Sequence, residues 1–87
     1  MKQQKVKKSE MYVGQLVVCT DHPEAQVRTI SHIFDNNMVE VQWFEGTNLS
    51  IQGIDYSMLY VPTIKQIEYS IQFNGKLVAN HDILELA

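Results

Sequence analysis

The chain has one cysteine, Cys19, so it cannot form an internal disulfide. This scarcity is typical of a protein from a reducing compartment, and we expect it to be cytoplasmic. The three histidines, His22, His32 and His81, do not have the spacing of metal ligands, and only one cysteine is present that could bind a metal with them. The composition therefore predicts neither a structural metal nor another cofactor.

Long apolar runs are also missing. The longest are a few residues, such as Leu16 to Cys19, far below the roughly 20 residues needed to span a bilayer. The basic N-terminus is not followed by an apolar stretch, so it does not match a signal peptide. We expect no membrane partner.

Catalytic motifs are absent as well. The four glycines are isolated, so no loop resembles a phosphate-binding loop. The serines are scattered without a nucleophile elbow, and Cys19 lies in an apolar stretch, which raises a thiol pKa and makes the thiol unreactive. A core of this size leaves little room for a small-molecule pocket. The sequence therefore predicts that the protein is not an enzyme.

Positive charge is rare beyond the first eight residues. Residues 9–87 contain three basic side chains against ten acidic ones, a formal charge of −7. We therefore expect a disordered basic tail over residues 1–10 and a single acidic domain over residues 11–87. An acidic body repels a phosphate backbone, so nucleic acid is expected only as an alternative partner. Its contacts would come from the tail lysines, Lys2, Lys5, Lys7 and Lys8.

The clearest secondary-structure signal lies between Gln26 and Phe44. Val39, Val41 and Trp43 alternate with polar residues, which predicts a strand with one buried and one wet face. The sequence at 35–37, Asp-Asn-Asn, suits a tight reversal. Before it, apolar residues recur every third position at 27, 30 and 33, which indicates a β-bulge. We predict a long, bent hairpin.

The flanking segments predict further strands and turns. We expect a first strand over 12–20, turns at 21–24 and 45–48, and a strand over 49–54. Asp55 then fits the cap of one helical or 3₁₀ turn, either of which would bring Leu59 inward. Residues 65–81 alternate in the same way around Asn74-Gly75, a strong hairpin signal. This predicts a second, C-terminal hairpin. The segment 82–86, Asp-Ile-Leu-Glu-Leu, fits either a short final strand or a frayed helical turn.

Three motifs in order resemble the first three strands of SH3-like barrels of the Tudor and KOW type. They are Gly14-x-x-Val17, Ala25-x-Val27-x-x-Ile30 and Val39-x-Val41-x-Trp43. The resemblance covers about residues 12–62 and implies a binding module. After Pro62 the chain departs from the pattern, which leaves open an elaborated barrel or an α+β fold. We expect an all-β or β-rich α+β domain, specifically a small SH3-like barrel with an additional C-terminal hairpin.

The predicted function is non-enzymatic binding or assembly. Alternation directs Met38 and Phe44 outward, and an exposed apolar strand face is typical of a partner surface, so self-association or a protein partner is expected. The alternative candidate surface is the end of the domain that carries Tyr56 and Tyr60. The resemblance to Tudor domains implies that such aromatic residues could form a cage for methylated Lys or Arg. Half-buried tyrosine rings with solvated hydroxyls are the favoured interpretation.

Overall fold

The computed structural model describes residues 3–85 and has a strand-rich α+β architecture. Four antiparallel strands form one sheet in the order β1-β2-β3-β4. The strands are β1 (Leu16–Val17), β2 (Arg28–Ile33), β3 (Met38–Glu45) and β4 (Asn48–Asp55). One helix, α1 (Ile64–Asn74), follows, and 3₁₀ turns span Lys8–Glu10, Tyr56–Met58 and Asn80–Asp82. No helix within this described part has the length and apolar character needed to cross a membrane.

The predicted central hairpin is confirmed. β2 pairs with β3, and the register shifts between Ile30 and His32, where the threefold apolar spacing predicted a bulge. Asn37 closes the turn with a φ of 68°, a conformation that asparagine tolerates better than most residues. The bulge bends the strand and lets Ile30 remain in the core while the following residues leave it.

β3 and β4 form a second tight hairpin, which confirms the predicted turn at 45–48 and the strand after it. Their register is unbroken from Met38↔Asp55 to Glu45↔Asn48. The two-residue loop includes Gly46 at a φ of 66°, where a side chain would be strained.

The turn predicted after β4 is also confirmed, and of its two expected forms it takes the 3₁₀ form. The Asp55 carboxylate accepts a 2.9 Å hydrogen bond from the Ser57 N–H and so caps the turn. This hydrogen bond lowers the pKa of Asp55. Leu59 is then fully buried, and Tyr60 forms isolated antiparallel bridges with Val18 and Lys5. The four-stranded sheet itself is not closed into a barrel.

Strands β2 and β3 have buried residues on both faces of the sheet. A first core lies on one face and comprises Val6, Val17, Ile30, Val39, Val41 and Leu59. A second core on the other face comprises Val18, Ala25 and Val27, with Ile67 of α1 and Leu77 packed against it. Burial of each of the larger side chains contributes roughly 1.5–3 kcal/mol before chain entropy is counted.

The predicted C-terminal hairpin is wrong, because Ile64–Asn74 is a helix. A capping box starts it: the Thr63 hydroxyl accepts from the Gln66 N–H, and the Gln66 side chain accepts from the Thr63 N–H. Gly75, at a φ of 93°, ends it, so Asn-Gly terminates a helix here and does not reverse a hairpin. The alternating apolar residues do not share a buried face, and Ile71 and Phe73 are exposed.

Polar side chains anchor the buried face of α1. The Ser70 hydroxyl accepts a 2.9 Å hydrogen bond from the Val27 N–H and donates to the Ala25 carbonyl. The Gln66 amide donates to the His22 carbonyl at 2.9 Å. These bonds give partners to backbone groups in the segment between β1 and β2, and they fix α1 against that segment.

The predicted wet face of β3 is also wrong. Gln42 has 0% exposure, because residues 76–85, here called the C-terminal segment, cross that face of the sheet. The Gln42 amide exchanges two hydrogen bonds with the backbone of Leu84, and the Thr29 hydroxyl donates to the Val78 carbonyl at 2.7 Å. Buried polar side chains are tolerated here because each has a partner.

The N-terminal half of the domain differs from expectation in two respects. β1 covers only Leu16–Val17 of the predicted 12–20 strand, since Gly14 takes a φ of 98° and breaks the extended path. Residues 3–10, predicted to be a disordered tail, pack on the domain. Val6 enters the first core and its N–H donates to the Leu59 carbonyl at 3.1 Å. This apolar contact and backbone bond hold the segment despite its lysines.

Candidate functional site

Met38 and Phe44 do not form the exposed apolar face that alternation predicted. Both are half-buried. The Lys76 ammonium lies 5.2 Å from the centroid of the Phe44 ring, and the C-terminal segment occupies the middle of this face at Gln42. Because the C-terminal segment lies over Gln42, between Met38 and Phe44, these two side chains do not form one continuous apolar surface.

Tyr56 and Tyr60 lie beside the chain's own lysines. The Lys5 ammonium is 4.3 Å from the Tyr60 ring centroid and donates a 2.8 Å hydrogen bond to the Ser57 carbonyl. The Lys8 ammonium lies 5.8 Å from the Tyr56 ring centroid and donates to the Asn37 side-chain oxygen. The two predicted surfaces, tyrosines and tail lysines, are therefore brought together by the fold.

These contacts reduce the number of lysine amines that are available to bind a phosphate backbone. The amines of Lys5 and Lys8 are held against carbonyl and aromatic groups, whereas Lys7 is exposed without such a contact among residues 3–85. Lys2 lies outside the described residues. A nucleic acid that used Lys5 and Lys8 would first have to break these internal contacts.

Cys19 faces the first core next to Arg28. The Arg28 guanidinium packs 3.9 Å from the Trp43 ring centroid and donates to the Cys19 sulfur at 3.4 Å and to the Gln52 side chain. Burial raises the pKa of the Cys19 thiol, and the positive charge of Arg28 opposes that rise. No three His, Cys, Asp or Glu side chains cluster as metal ligands within residues 3–85.

The outer edge of β4 is the first feature that the fold leaves open. β4 is the last strand of the sheet, and no other segment of residues 3–85 pairs with its outer side. Its eight residues contain no lysine, arginine or proline and one acid, Asp55. The space around Gly53 is also open, because a Cβ built there meets no atom within 4 Å. Charged residues, prolines and bulges are the usual devices that block strand edges, and β4 has almost none of them.

A groove at the turn end of the β2–β3 hairpin is the second open feature. We call it the Phe34 groove; its volume is about 470 Å³. Its apolar lining comes from three exposed side chains, Val13, Phe34 and Leu84. Its polar lining comes from Ser31, His32, Glu40 and Glu85. The His32 ring packs against the Phe34 ring at a tilt of 55°, with ring centroids 4.4 Å apart, and this contact helps to fix the aromatic wall.

Sequence reasoning identified neither open feature. The β4 edge could have been predicted in part, since the sequence shows that Asn48–Asp55 lacks the residues that usually block a strand edge. The groove could not have been predicted from local patterns, because it brings together residues from four separate parts of the chain. Comparison of the chain with protein-family models, with curated proteins and with solved structures gives no significant match.

Proposed function

We propose that this chain is a non-enzymatic assembly module that self-associates by pairing the free edges of β4. The observation that carries the proposal is the unprotected edge of Asn48–Asp55, an eight-residue strand with an unbroken register to β3. An exposed edge of this length presents unpaired N–H and C=O groups that another strand can satisfy.

The free groups can be assigned from the hairpin geometry. A two-residue loop makes Glu45 and Asn48 the first hydrogen-bonded pair, and alternate residues of β4 then direct their backbone groups outward. These residues are Leu49, Ile51 and Gly53. They supply the donors and acceptors for a second strand.

A second copy of β4 fits this edge in antiparallel orientation. A twofold axis at Ile51 sets that residue opposite itself and sets Leu49 opposite Gly53 of the other copy. The absent side chain of Gly53 leaves room for leucine, and the Ile51 pair adds an apolar cross-strand contact. In this register Asp55 faces Thr47 of the second copy, so the acids do not oppose each other.

The experiment is a comparison of the oligomeric state of the wild type with that of Gly53→Lys. The lysine adds a blocking charge on the free edge, and its Cβ has open space, so the variant is expected to fold. The proposal requires a concentration-dependent dimer for the wild type and a monomer for the variant.

We further propose that this open sheet is a variant of the SH3-like fold of the Tudor and KOW type. Three features support this: four consecutive antiparallel strands, the 3₁₀ turn Tyr56–Met58 after them, and the return of Tyr60 to bridge Val18 beside β1. Fold analogy does not supply a ligand, so the assembly proposal rests on the β4 edge alone.

A further inference from the structure

We propose that the Phe34 groove binds a lysine or arginine side chain of a protein partner, together with an apolar neighbour in that partner's sequence. This site is separate from the β4 edge and does not depend on self-association. A groove of about 470 Å³ lies within the range of volumes that ligand sites occupy.

The apolar lining provides the contact area. Val13, Phe34 and Leu84 come from three distant segments and are all exposed, Phe34 by 42%. Exposed apolar side chains that converge on one concavity mark binding sites more often than scattered ones do. Phe34 is held in place by His32, so its ring is presented with little loss of side-chain freedom on binding.

The charge of the lining selects the occupant. Glu40 and Glu85 both line the groove, and the ion pairs among residues 3–85 involve only Asp82. Within that range neither glutamate has a lysine, arginine or histidine partner. The Glu40 carboxylate is oriented by a 2.8 Å hydrogen bond from the Ser31 hydroxyl, so it is a positioned acceptor. A cation beside an aromatic ring and two carboxylates gains both ion-pair and cation–π attraction.

The test is selection of a displayed random heptapeptide library on the immobilised full chain. Clones that bind the wild type and not Phe34→Ser define groove ligands, and Phe73→Ser is the matched control because Phe73 is also exposed and lies on α1. We expect these clones to be enriched in lysine or arginine next to an apolar residue.

The second arm measures the selected peptides against Glu40→Gln/Glu85→Gln. We expect the double variant to bind these peptides about fivefold more weakly than the wild type does, the effect of removing two partly exposed ion pairs. Because salt screens ion pairs, this difference in affinity is expected to shrink as the salt concentration rises. Glu24→Gln/Glu68→Gln is the control for net charge, since both lie outside the groove lining. Groove clones without basic residues would overturn the assigned occupant, and a selection without Phe34-dependent clones would overturn the site itself.

Discussion

The side-chain amide of Gln42 and the backbone of Leu84 exchange two hydrogen bonds across one face of the sheet. Gln42 accepts from the Leu84 N–H at 2.9 Å and donates to the Leu84 carbonyl at 2.8 Å. The side-chain amide of Gln42 thus makes the same pair of hydrogen bonds that a backbone amide on a neighbouring strand would make in a β-sheet. It holds the C-terminal segment on β3 and places the Leu84 side chain in the lining of the Phe34 groove.

Gln42→Met is expected to release this segment. The substitution keeps the side chain's length but removes both hydrogen bonds, which costs about 1–3 kcal/mol in the free energy of unfolding. Faster hydrogen exchange at the Leu84 amide would report the release, and chemical denaturation would report the cost. Gln72→Met, at an exposed helix position, serves as the control. Unchanged protection at Leu84 would mean that other contacts hold the segment.

Thr63→Ala is expected to destabilise α1. The change removes the cap of a helix whose first turn depends on the Thr63 hydroxyl, at a cost of about 1 kcal/mol. Urea denaturation measures the loss, and Thr47→Ala in the exposed β3–β4 loop is the matched control. Equal stability of the two variants would contradict the assigned role of the capping box.

Cys19 is expected to react slowly with iodoacetamide. Because burial raises its pKa, less thiolate is present at pH 8 than for an exposed cysteine. Arg28→Gln removes the positive charge that opposes this rise, so its alkylation is expected to be slower still. Mass spectrometry of timed samples gives both rates. A faster reaction in Arg28→Gln would show that Arg28 restricts access to the thiol more than it alters its pKa.

Binding of nucleic acid through the N-terminal lysines is expected to be absent at physiological salt. Lys5 and Lys8 are engaged internally, and the rest of the chain is acidic. Fluorescence anisotropy with a labelled oligonucleotide tests this across a salt series. A steeply salt-dependent signal that is lost when Lys2, Lys5, Lys7 and Lys8 are all changed to glutamine, which leaves Val6 in the first core, would instead establish the alternative function.

Local signals predicted much of the sheet. Features that depend on a few neighbouring residues could be predicted from the sequence. They are the alternation within strands, the bulge before residue 31 and the turns at Asn37 and Asp55. The error at α1 arose because apolar residues alternate at 67, 69, 71 and 73, while the helix buries the polar Gln66 and Ser70. Their partners near Ala25 lie more than forty residues away, and no local pattern reports them.

The candidate sites were less predictable for the same reason. Phe44 was expected to be exposed, but its cover comes from the C-terminal segment, whose path depends on the Gln42–Leu84 pairing. A disordered tail would leave its lysines in solvent, but the burial of Val6 in the first core packs this segment on the domain. In both cases one long-range contact determines which surface remains open.

The most direct test of self-association through β4 is sedimentation velocity of the wild type and Gly53→Lys. Protein concentrations from about 10 to about 500 µM bracket the affinities expected of a small interface. Gln72→Lys adds the same charge at an exposed position on α1 and serves as the control. Pairing of two β4 edges predicts a monomer–dimer equilibrium for the wild type and Gln72→Lys, and a folded monomer for Gly53→Lys. A wild type that stays monomeric throughout, or a Gly53→Lys variant that still dimerises, would contradict it.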